Sequence, residues 1–101
     1  MKVRQFYNKN QFIITGNGAT VFQSYDSTIA KIDANGVLSF GSDWDYSATT
    51  KKHLYLFLND YKCLIDNFQY SQLFSKGFSE SKNKTAFLNN LIKKKVINIS
   101  L

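Results

Sequence analysis

The apolar residues of this chain change their spacing near its middle, and this change limits the fold more than any other feature. Up to residue 42, short segments rich in aromatic and β-branched residues are separated by turn-forming residues, which is typical of strands. From residue 45 to 95, apolar residues recur three and four positions apart, which is typical of helices. We therefore predict one α+β domain over residues 1–101, with an antiparallel β-meander of about four strands packed against helices.

Three turn signals separate the strand segments. Gly16-Asn17-Gly18 and Asn35-Gly36 contain residues that accept a positive φ, and Asn35-Gly36 fits a type I′ turn. Asp26-Ser27 has the length of a tight hairpin connection. The first two segments form either one interrupted strand or a small hairpin. The predicted strand segments are Val3–Tyr7, Gln11–Thr15, Thr20–Tyr25, Thr28–Asp33 and Val37–Phe40.

A helix is predicted from residue 47 to 58, with Asp45 or Ser47 as its N-cap, because their oxygens accept a backbone N–H of the first turn. One face of this helix is apolar. Leu64, Ile65 and Phe68 continue the same spacing, which predicts that the helix extends to residue 67 unless Asn59-Asp60 divides it into two helices. The face comprises Thr50, His53, Leu54, Phe57, Leu58 and Tyr61.

Two further helices are predicted in the C-terminal part of the chain. A short helix around Leu73-Phe74 is closed by Gly77, and a last helix begins at Ser79 or Ser81. The last helix buries Phe87, Leu88, Leu91 and Ile92. Three lysines lie in its final turn, where their positive charge interacts favourably with the negative end of the helix dipole. Residues 97–101 alternate strictly, so they form either a final edge strand or a frayed tail.

The positive charge lies entirely in the second half of the chain. The formal charge is +6, but residues 1–50 carry four basic and four acidic side chains. Residues 51–101 carry nine lysines against Asp60, Asp66 and Glu80. This asymmetry indicates a polyanion or an acidic protein face as partner, and its alternative is a lysine-rich face that only keeps the protein in solution.

Nucleic acid is one partner that such a surface would suit, because binding single strands needs basic side chains beside exposed aromatic rings. Phe78 and Tyr70 lie near the lysines in sequence. Lysine outnumbers arginine twelve to one, which is unfavourable for reading base edges. No RNA-recognition signature, helix-turn-helix pattern or zinc-finger spacing occurs. The candidate binding lysines are Lys76, Lys82, Lys84, Lys93, Lys94 and Lys95.

The residues that catalysis or metal binding would need are scarce. His53 is the only histidine, and its place on the apolar helix face predicts a half-buried structural role. Cys63 is the only cysteine and is expected to be a small buried or semi-buried residue. Asp43 and Asp45 are the only close carboxylate pair, and a capping role explains them better than Mg²⁺. We therefore expect no enzyme activity, no metal and no cofactor.

The cellular setting is expected to be the cytoplasm. One cysteine allows no intrachain disulfide, so the sequence gives no sign of an oxidising compartment. The N-terminus lacks the apolar region of a signal peptide, and the longest apolar run, Leu54–Leu58, is far shorter than a membrane span. No membrane association is expected.

Two motifs resemble a group of small, poorly characterised proteins from bacteriophages and mobile elements. The first is Phe22–Ile32 (FQSYDSTIAKI), a strand pair of the form FQSY-x-[ST]-x-IA. The second is Trp44–Leu54 (WDYSATTKKHL), a WDYS-x-TT helix start, closed by Phe57-Leu58. The resemblance covers about residues 20 to 58 and implies a phage or prophage origin and a meander-plus-helix core. It implies no catalytic residue and leaves the lysine-rich half outside.

The motif residues allow two interpretations. In the first they are structural: Trp44 and Phe22 fill the core, while the motif's polar residues cap the helix and fix the hairpin. In the second, four of them form an exposed polar-aromatic recognition patch, namely Gln23, Tyr25, Tyr46 and Thr49.

The leading functional hypothesis follows from the resemblance. Small phage proteins of this size often act against host defence, and anti-CRISPR proteins are the prominent example. The chain would then be a non-enzymatic inhibitor that blocks a Cas effector by stoichiometric binding. The alternative is a phage accessory protein that binds single-stranded DNA or RNA through the lysine-rich half. Homodimerisation through a free edge strand stays open.

Overall fold

The α+β architecture is confirmed by the computed structural model, which describes residues 1–100. Over these residues the chain forms one six-stranded sheet, three α-helices and a 3₁₀ helix, with the meander first and the helices after it. The elements are β1 (Lys2–Phe6), β2 (Asn8–Gly16), β3 (Ala19–Ser24), β4 (Ser27–Ile32), β5 (Leu38–Phe40), α1 (Ala48–Asp60), the 3₁₀ helix Lys62–Leu64, α2 (Asn67–Phe74), α3 (Lys84–Lys93) and β6 (Asn98–Ile99).

The strands lie in the sheet in the order of the sequence. β1 to β5 are antiparallel neighbours, and β6 pairs in parallel with β5. Of the two alternatives for the first two segments, the small hairpin is the one that forms, with Tyr7, at φ 62°, between β1 and β2, so the meander has five strands where about four were expected. β6 lies inside the segment predicted as an edge strand, of which Leu101 is outside the described residues.

The three turns differ in detail from the sequence-based expectation. Asn17-Gly18 forms a two-residue turn with both residues at positive φ. The β3–β4 turn is Tyr25-Asp26 rather than Asp26-Ser27, since Ser24 pairs with Ser27. The type I′ assignment for Asn35-Gly36 is wrong, because only Gly36 has a positive φ there.

Asp33 explains the different geometry of the β4–β5 turn. Its Oδ1 accepts hydrogen bonds from the N–H groups of Asn35 at 2.9 Å and Val37 at 3.0 Å. Its backbone oxygen accepts a third from the N–H of Gly36 at 2.9 Å. This side chain therefore holds a longer, three-residue connection, in which only the last residue is left-handed.

α1 agrees with the predicted helix, and Ser47 is its N-cap: Ser47 Oγ accepts from the Thr50 N–H at 3.1 Å. The continuation to residue 67 is wrong. The helix ends at Asp60, and Asp66 begins α2 by accepting from the Gln69 N–H at 2.8 Å. Leu64 and Phe68 consequently leave the apolar face and are exposed. Within residues 1–100 no helix combines the length and hydropathy needed to cross a bilayer.

α3 begins later than predicted. Its N-cap is Asn83, whose Oδ1 accepts from the Ala86 N–H at 2.9 Å, so the assignment of Ser79 or Ser81 is wrong. The chain before it is held by Phe78, which is buried and whose N–H donates to Leu73 O at 3.1 Å. Gly77, at φ 88°, departs from helical backbone in this stretch, and residues 75–82 form turns and bends.

The core lies between the inner face of the sheet and the helices. Phe57 of α1 stacks on Phe22 of β3 with ring centroids 5.6 Å apart, and Phe6 packs edge-on against both rings. Burial of such aromatic side chains contributes about 1.5–3 kcal/mol each. These contacts fix the position of α1 on the sheet. Other fully buried side chains are Ile13, Ile29, Ile32, Leu38, Phe40, Leu54, Leu58, Leu73, Leu88 and Ile97.

A buried glutamine joins α2 to the sheet. Gln69 Oε1 accepts from the Leu38 N–H at 2.7 Å, and Nε2 donates to Leu38 O at 3.0 Å and Val96 O at 2.8 Å. The amide thus satisfies backbone groups of β5 and of the segment that leads into β6. Its three hydrogen bonds replace those that a further strand would otherwise supply.

We predict that Gln69→Leu lowers the free energy of unfolding by about 2–5 kcal/mol, because it leaves two buried backbone groups of Leu38 and the partly buried Val96 carbonyl without partners. Urea denaturation of the variant measures this loss. Gln72→Leu, at a partly buried position of the same helix, is the control and should cost far less. Equal losses for the two variants would contradict the role given to Gln69.

A second polar contact joins the first hairpin to the end of α1. The Tyr7 hydroxyl donates to Asp60 Oδ2 at 2.6 Å, and Arg4 donates to the hydroxyl of Tyr61. The hydrogen bond to Asp60 raises the pKa of Tyr7 above 10.0, with smaller contributions from lost hydration and from the charge of Asp60. An ionised Tyr7 would face a carboxylate and could no longer donate.

The raised pKa predicts a pH dependence of stability. The contribution of the Tyr7 hydroxyl is complete below its unfolded pKa of about 10 and is lost as the pH rises through the higher folded pKa. Tyr7→Phe should therefore lose stability near neutral pH and show a shallower fall in stability above pH 10 than the parent. Thermal melts between neutral and alkaline pH test this, and parallel curves for the two proteins would refute it.

Candidate binding groove

A concave surface of about 560 Å³ lies between the β3–β4 turn and the start of α1. One wall is the turn itself, the other is the segment that leads into the helix, and Ile29 of β4 lines it between them. We call this surface the groove. Its lining residues are Ser24, Tyr25, Asp26, Ser27, Ile29, Asp43, Tyr46, Ser47, Thr49 and Thr50.

Gly41 brings the second wall close to the first. A Cβ atom at this position would lie 2.0 Å from Thr28 O, so only glycine allows the chain to pass β4 there. The Gly41 N–H donates to Ile29 O at 2.8 Å. Trp44 then anchors the following loop, because its buried ring packs against the Phe40 ring with the ring centroids 5.4 Å apart. The backbone of the wall is thus fixed on the core side.

Tyr25 occupies an uncommon backbone conformation for a bulky residue. Its φ is 54°, a left-handed value that costs most non-glycine residues about 1–2 kcal/mol. Two hydrogen bonds hold it: its N–H donates to Asn10 O at 2.7 Å, and its carbonyl accepts from Gln23 Nε2 at 2.7 Å. The side chain is 61% exposed, so burial of the ring does not offset that cost. Strain of this kind concentrates at functional sites.

The helix side of the groove presents a second tyrosine and a set of hydroxyls. Tyr46 is 81% exposed, although its N–H is tied to Asp43 O at 3.0 Å. Ser47 caps the helix and also donates to Thr50 Oγ1 at 3.0 Å. Thr49 is exposed at the rim. The groove therefore combines a fixed backbone with two tyrosine rings that face solvent.

One buried polar atom of the groove has no partner. Ser24 is 4% exposed, and its Oγ makes no hydrogen bond within residues 1–100. Gln11 lies opposite it on β2, and the Oε1 of Gln11 is likewise buried without a partner. An unsatisfied buried polar group costs about 1–3 kcal/mol, so each such group needs an explanation, of which a bound partner is one.

The charged residues that line the groove are both acidic. Asp26 lies in the turn and Asp43 in the opposite wall, where it accepts a hydrogen bond from Ser27 Oγ at 3.3 Å. The start of α1 contributes roughly half a positive charge, less than the two carboxylates. The groove is thus an acidic region on a protein whose formal charge is +6.

The recognition patch expected from the sequence corresponds to this surface in part. Tyr25, Tyr46 and Thr49 all line the groove. Gln23 does not line it, and its Nε2 instead donates a hydrogen bond to the Tyr25 carbonyl. Sequence reasoning missed Ser24 and paired Asp43 with Asp45. The structure instead brings Asp43 to the groove that Asp26 lines.

The candidate lysines do not form one patch. Lys82 and Lys84 line a shallow concavity of about 330 Å³ together with Lys51 and Lys52. Lys76 and Lys94 line another, of about 150 Å³. Lys93 and Lys95 are exposed and line neither.

The aromatic residues near these lysines are not free to stack on bases. Phe78 is buried, and Lys84 Nζ lies 5.8 Å from the centre of its ring. Tyr70 is half-buried against Phe74, with ring centroids 5.2 Å apart. Two exposed tyrosines, Tyr25 and Tyr46, lie at the groove, which no lysine lines, and a third, Tyr7, lies between β1 and β2.

The histidine and the cysteine lie outside the groove. His53 is buried, and its Nδ1 donates to Thr49 O at 2.9 Å. Cys63 is exposed, contrary to the expectation of a buried or semi-buried residue, because α1 ends before it and it lies in the 3₁₀ helix, none of whose residues is buried. Among residues 1–100 no group of three or more His, Cys, Asp or Glu side chains is arranged to hold a metal ion.

Comparison with known protein families gives a match to the first part of the chain. A family of unknown function, DUF8033, matches residues 1–73. This range contains the whole meander, α1, the groove and almost all of α2, and it leaves α3 and its lysines outside. No curated protein and no solved structure matches the chain.

We predict that Tyr25→Gly leaves the stability unchanged or raises it, because glycine removes the left-handed strain and little ring burial is lost. Thr28→Gly, an exposed strand position on β4, is the control and should lose about 0.5–1 kcal/mol. Urea denaturation compares the two. A loss at Tyr25 as large as that at Thr28 would show that this tyrosine is kept for stability.

Proposed function

This chain belongs to the DUF8033 family, and we propose that it is a non-enzymatic binding protein that recognises a protein partner through the groove. The observation that carries the proposal is Tyr25, held at a φ of 54° with its ring exposed, beside Tyr46. Tyrosines on a fixed backbone are typical of protein interfaces, because they bury a large area at little entropic cost.

The charge of the groove supports a protein partner over nucleic acid. Asp26 and Asp43 repel phosphates, and phosphate contacts supply most of the affinity of non-specific nucleic-acid binding. The lysines lie elsewhere, in separate groups, beside aromatic rings that are buried or half-buried. The role of these lysines is then to keep the protein in solution.

The environment of His53 supports binding over catalysis. A general base must reach its substrate directly or through one water molecule. The His53 ring is 6% exposed, and its Nδ1 is engaged by the backbone of its own helix.

The resemblance to phage proteins supports a more specific role. In that role the partner is a bacterial defence complex, foremost a Cas effector, which the protein blocks by stoichiometric binding. The two motifs of the resemblance supply every lining residue of the groove except Asp43, with Ser24–Ile29 in the first motif and Tyr46–Thr50 in the second.

The proposal is tested with tagged bait proteins in lysate of a CRISPR-bearing host, with and without nuclease, read by mass spectrometry. The groove variant combines Tyr25→Gly with Tyr46→Ala. Phe68→Ala, at a 62% exposed ring on α2, is the matched aromatic control. A third bait combines Lys82→Gln with Lys84→Gln.

We expect one nuclease-resistant partner that the parent and both controls capture equally well. The groove variant should bind it with an affinity at least tenfold lower, which is about 1.4 kcal/mol or more. Inhibition of the purified effector at one inhibitor per complex would then support the specific role. Partners that are lost on nuclease treatment and from the lysine variant, but retained by the groove variant, would overturn the proposal in favour of nucleic-acid binding.

A further inference from the structure

We infer that the residue of the partner that enters the groove is an arginine, an inference that rests on the proposed protein-binding function. The polar side-chain groups of the groove are carboxylates and hydroxyls. Carboxylates only accept hydrogen bonds, and hydroxyls can accept them. A guanidinium is the complementary group, since it carries five N–H donors and no acceptor.

The charge of the groove selects a cation. Asp26 and Asp43 stand on opposite walls, and no lysine or arginine lines the surface between them. A cation in the groove would be attracted by both carboxylates. An anion at the start of α1 would face both carboxylates and find the Thr50 N–H already bonded to Ser47 Oγ. The groove therefore does not suit a phosphate or a carboxylate.

The unpartnered hydroxyl of Ser24 is an independent indication of a donor ligand. Ser24 lines the groove, and its Oγ is buried without a hydrogen bond among the described residues. The Asp43 carboxylate, in contrast, already accepts from Ser27 and retains further acceptor sites. An N–H of the ligand would give Ser24 the partner that residues 1–100 do not provide.

The two tyrosines favour arginine over lysine. A guanidinium is planar and stacks on aromatic rings while its N–H groups reach acceptors in its own plane. A lysine ammonium is a compact, strongly hydrated charge and cannot do both as well. Tyr25 and Tyr46 offer ring faces, and Asp26, Asp43 and Ser24 offer acceptors.

The test is an NMR titration of the isotope-labelled protein with N-acetyl-arginine-N-methylamide, followed at the backbone amides of the groove. The citrulline analogue has nearly the same shape without the charge and is the matched ligand. We expect shifts at Tyr25, Ser27, Tyr46 and Thr49 with the arginine ligand. The affinity for the citrulline ligand should be lower by a factor of about five or more. The lysine analogue should bind more weakly than arginine.

Variants at the two carboxylates complete the test. Asp26→Asn and Asp43→Asn, each with an otherwise unchanged spectrum, should lower the arginine affinity, whereas Asp45→Asn should not, because Asp45 does not line the groove. Binding that is equal for arginine and citrulline would overturn the inference, as would shifts produced by inorganic phosphate at the same amides.

Two further outcomes also overturn the inference. One is the absence of any shift at the groove with arginine up to its solubility limit. The other is a shift of these amides on dilution of the free protein, which would show that the groove is covered by a second copy of this chain and not by a partner protein. Neither outcome decides the proposed function, since the capture experiment with the Tyr25 and Tyr46 variant reports partner binding separately.

Discussion

The stacking of Phe57 on Phe22 is the contact on which the rest of the structure depends. It joins α1 to β3 in the middle of the meander, and Phe6 of the first hairpin packs edge-on against both rings. Because α1 is fixed at this point, its first turn is held close to the start of β4. The position of the groove therefore follows from core packing, and its chemistry follows from the loops that this packing brings together.

The groove combines a rigid backbone with exposed side chains. Gly41 and Trp44 fix the wall that leads into α1, and hydrogen bonds fix Tyr25 in the turn opposite. The rings of Tyr25 and Tyr46 nevertheless remain largely in solvent. Such preorganisation lowers the entropy lost on binding, which is the usual advantage of a recognition surface built on tight turns.

The sequence predicts those parts of the fold that local patterns determine. The spacing of apolar residues identifies the meander and α1, because both periods are short-range properties of the chain. The tertiary part of the groove is not visible in this way. The approach of Asp43 to the β3–β4 turn depends on the close passage of Gly41 beside Thr28, which is set by packing. The isolated hydroxyl of Ser24 likewise appears only once its neighbours are placed.

Site-directed photocrosslinking measures most directly whether the groove contacts a protein. Replacement of Tyr46 with p-benzoylphenylalanine places a crosslinker at the groove, and the same replacement at Phe68 places one on α2 as a reference. We expect irradiation in host lysate to join one protein to position 46 and not to position 68, whether or not nuclease is present. A crosslink only at Phe68, or only to nucleic acid, would contradict a protein contact at the groove.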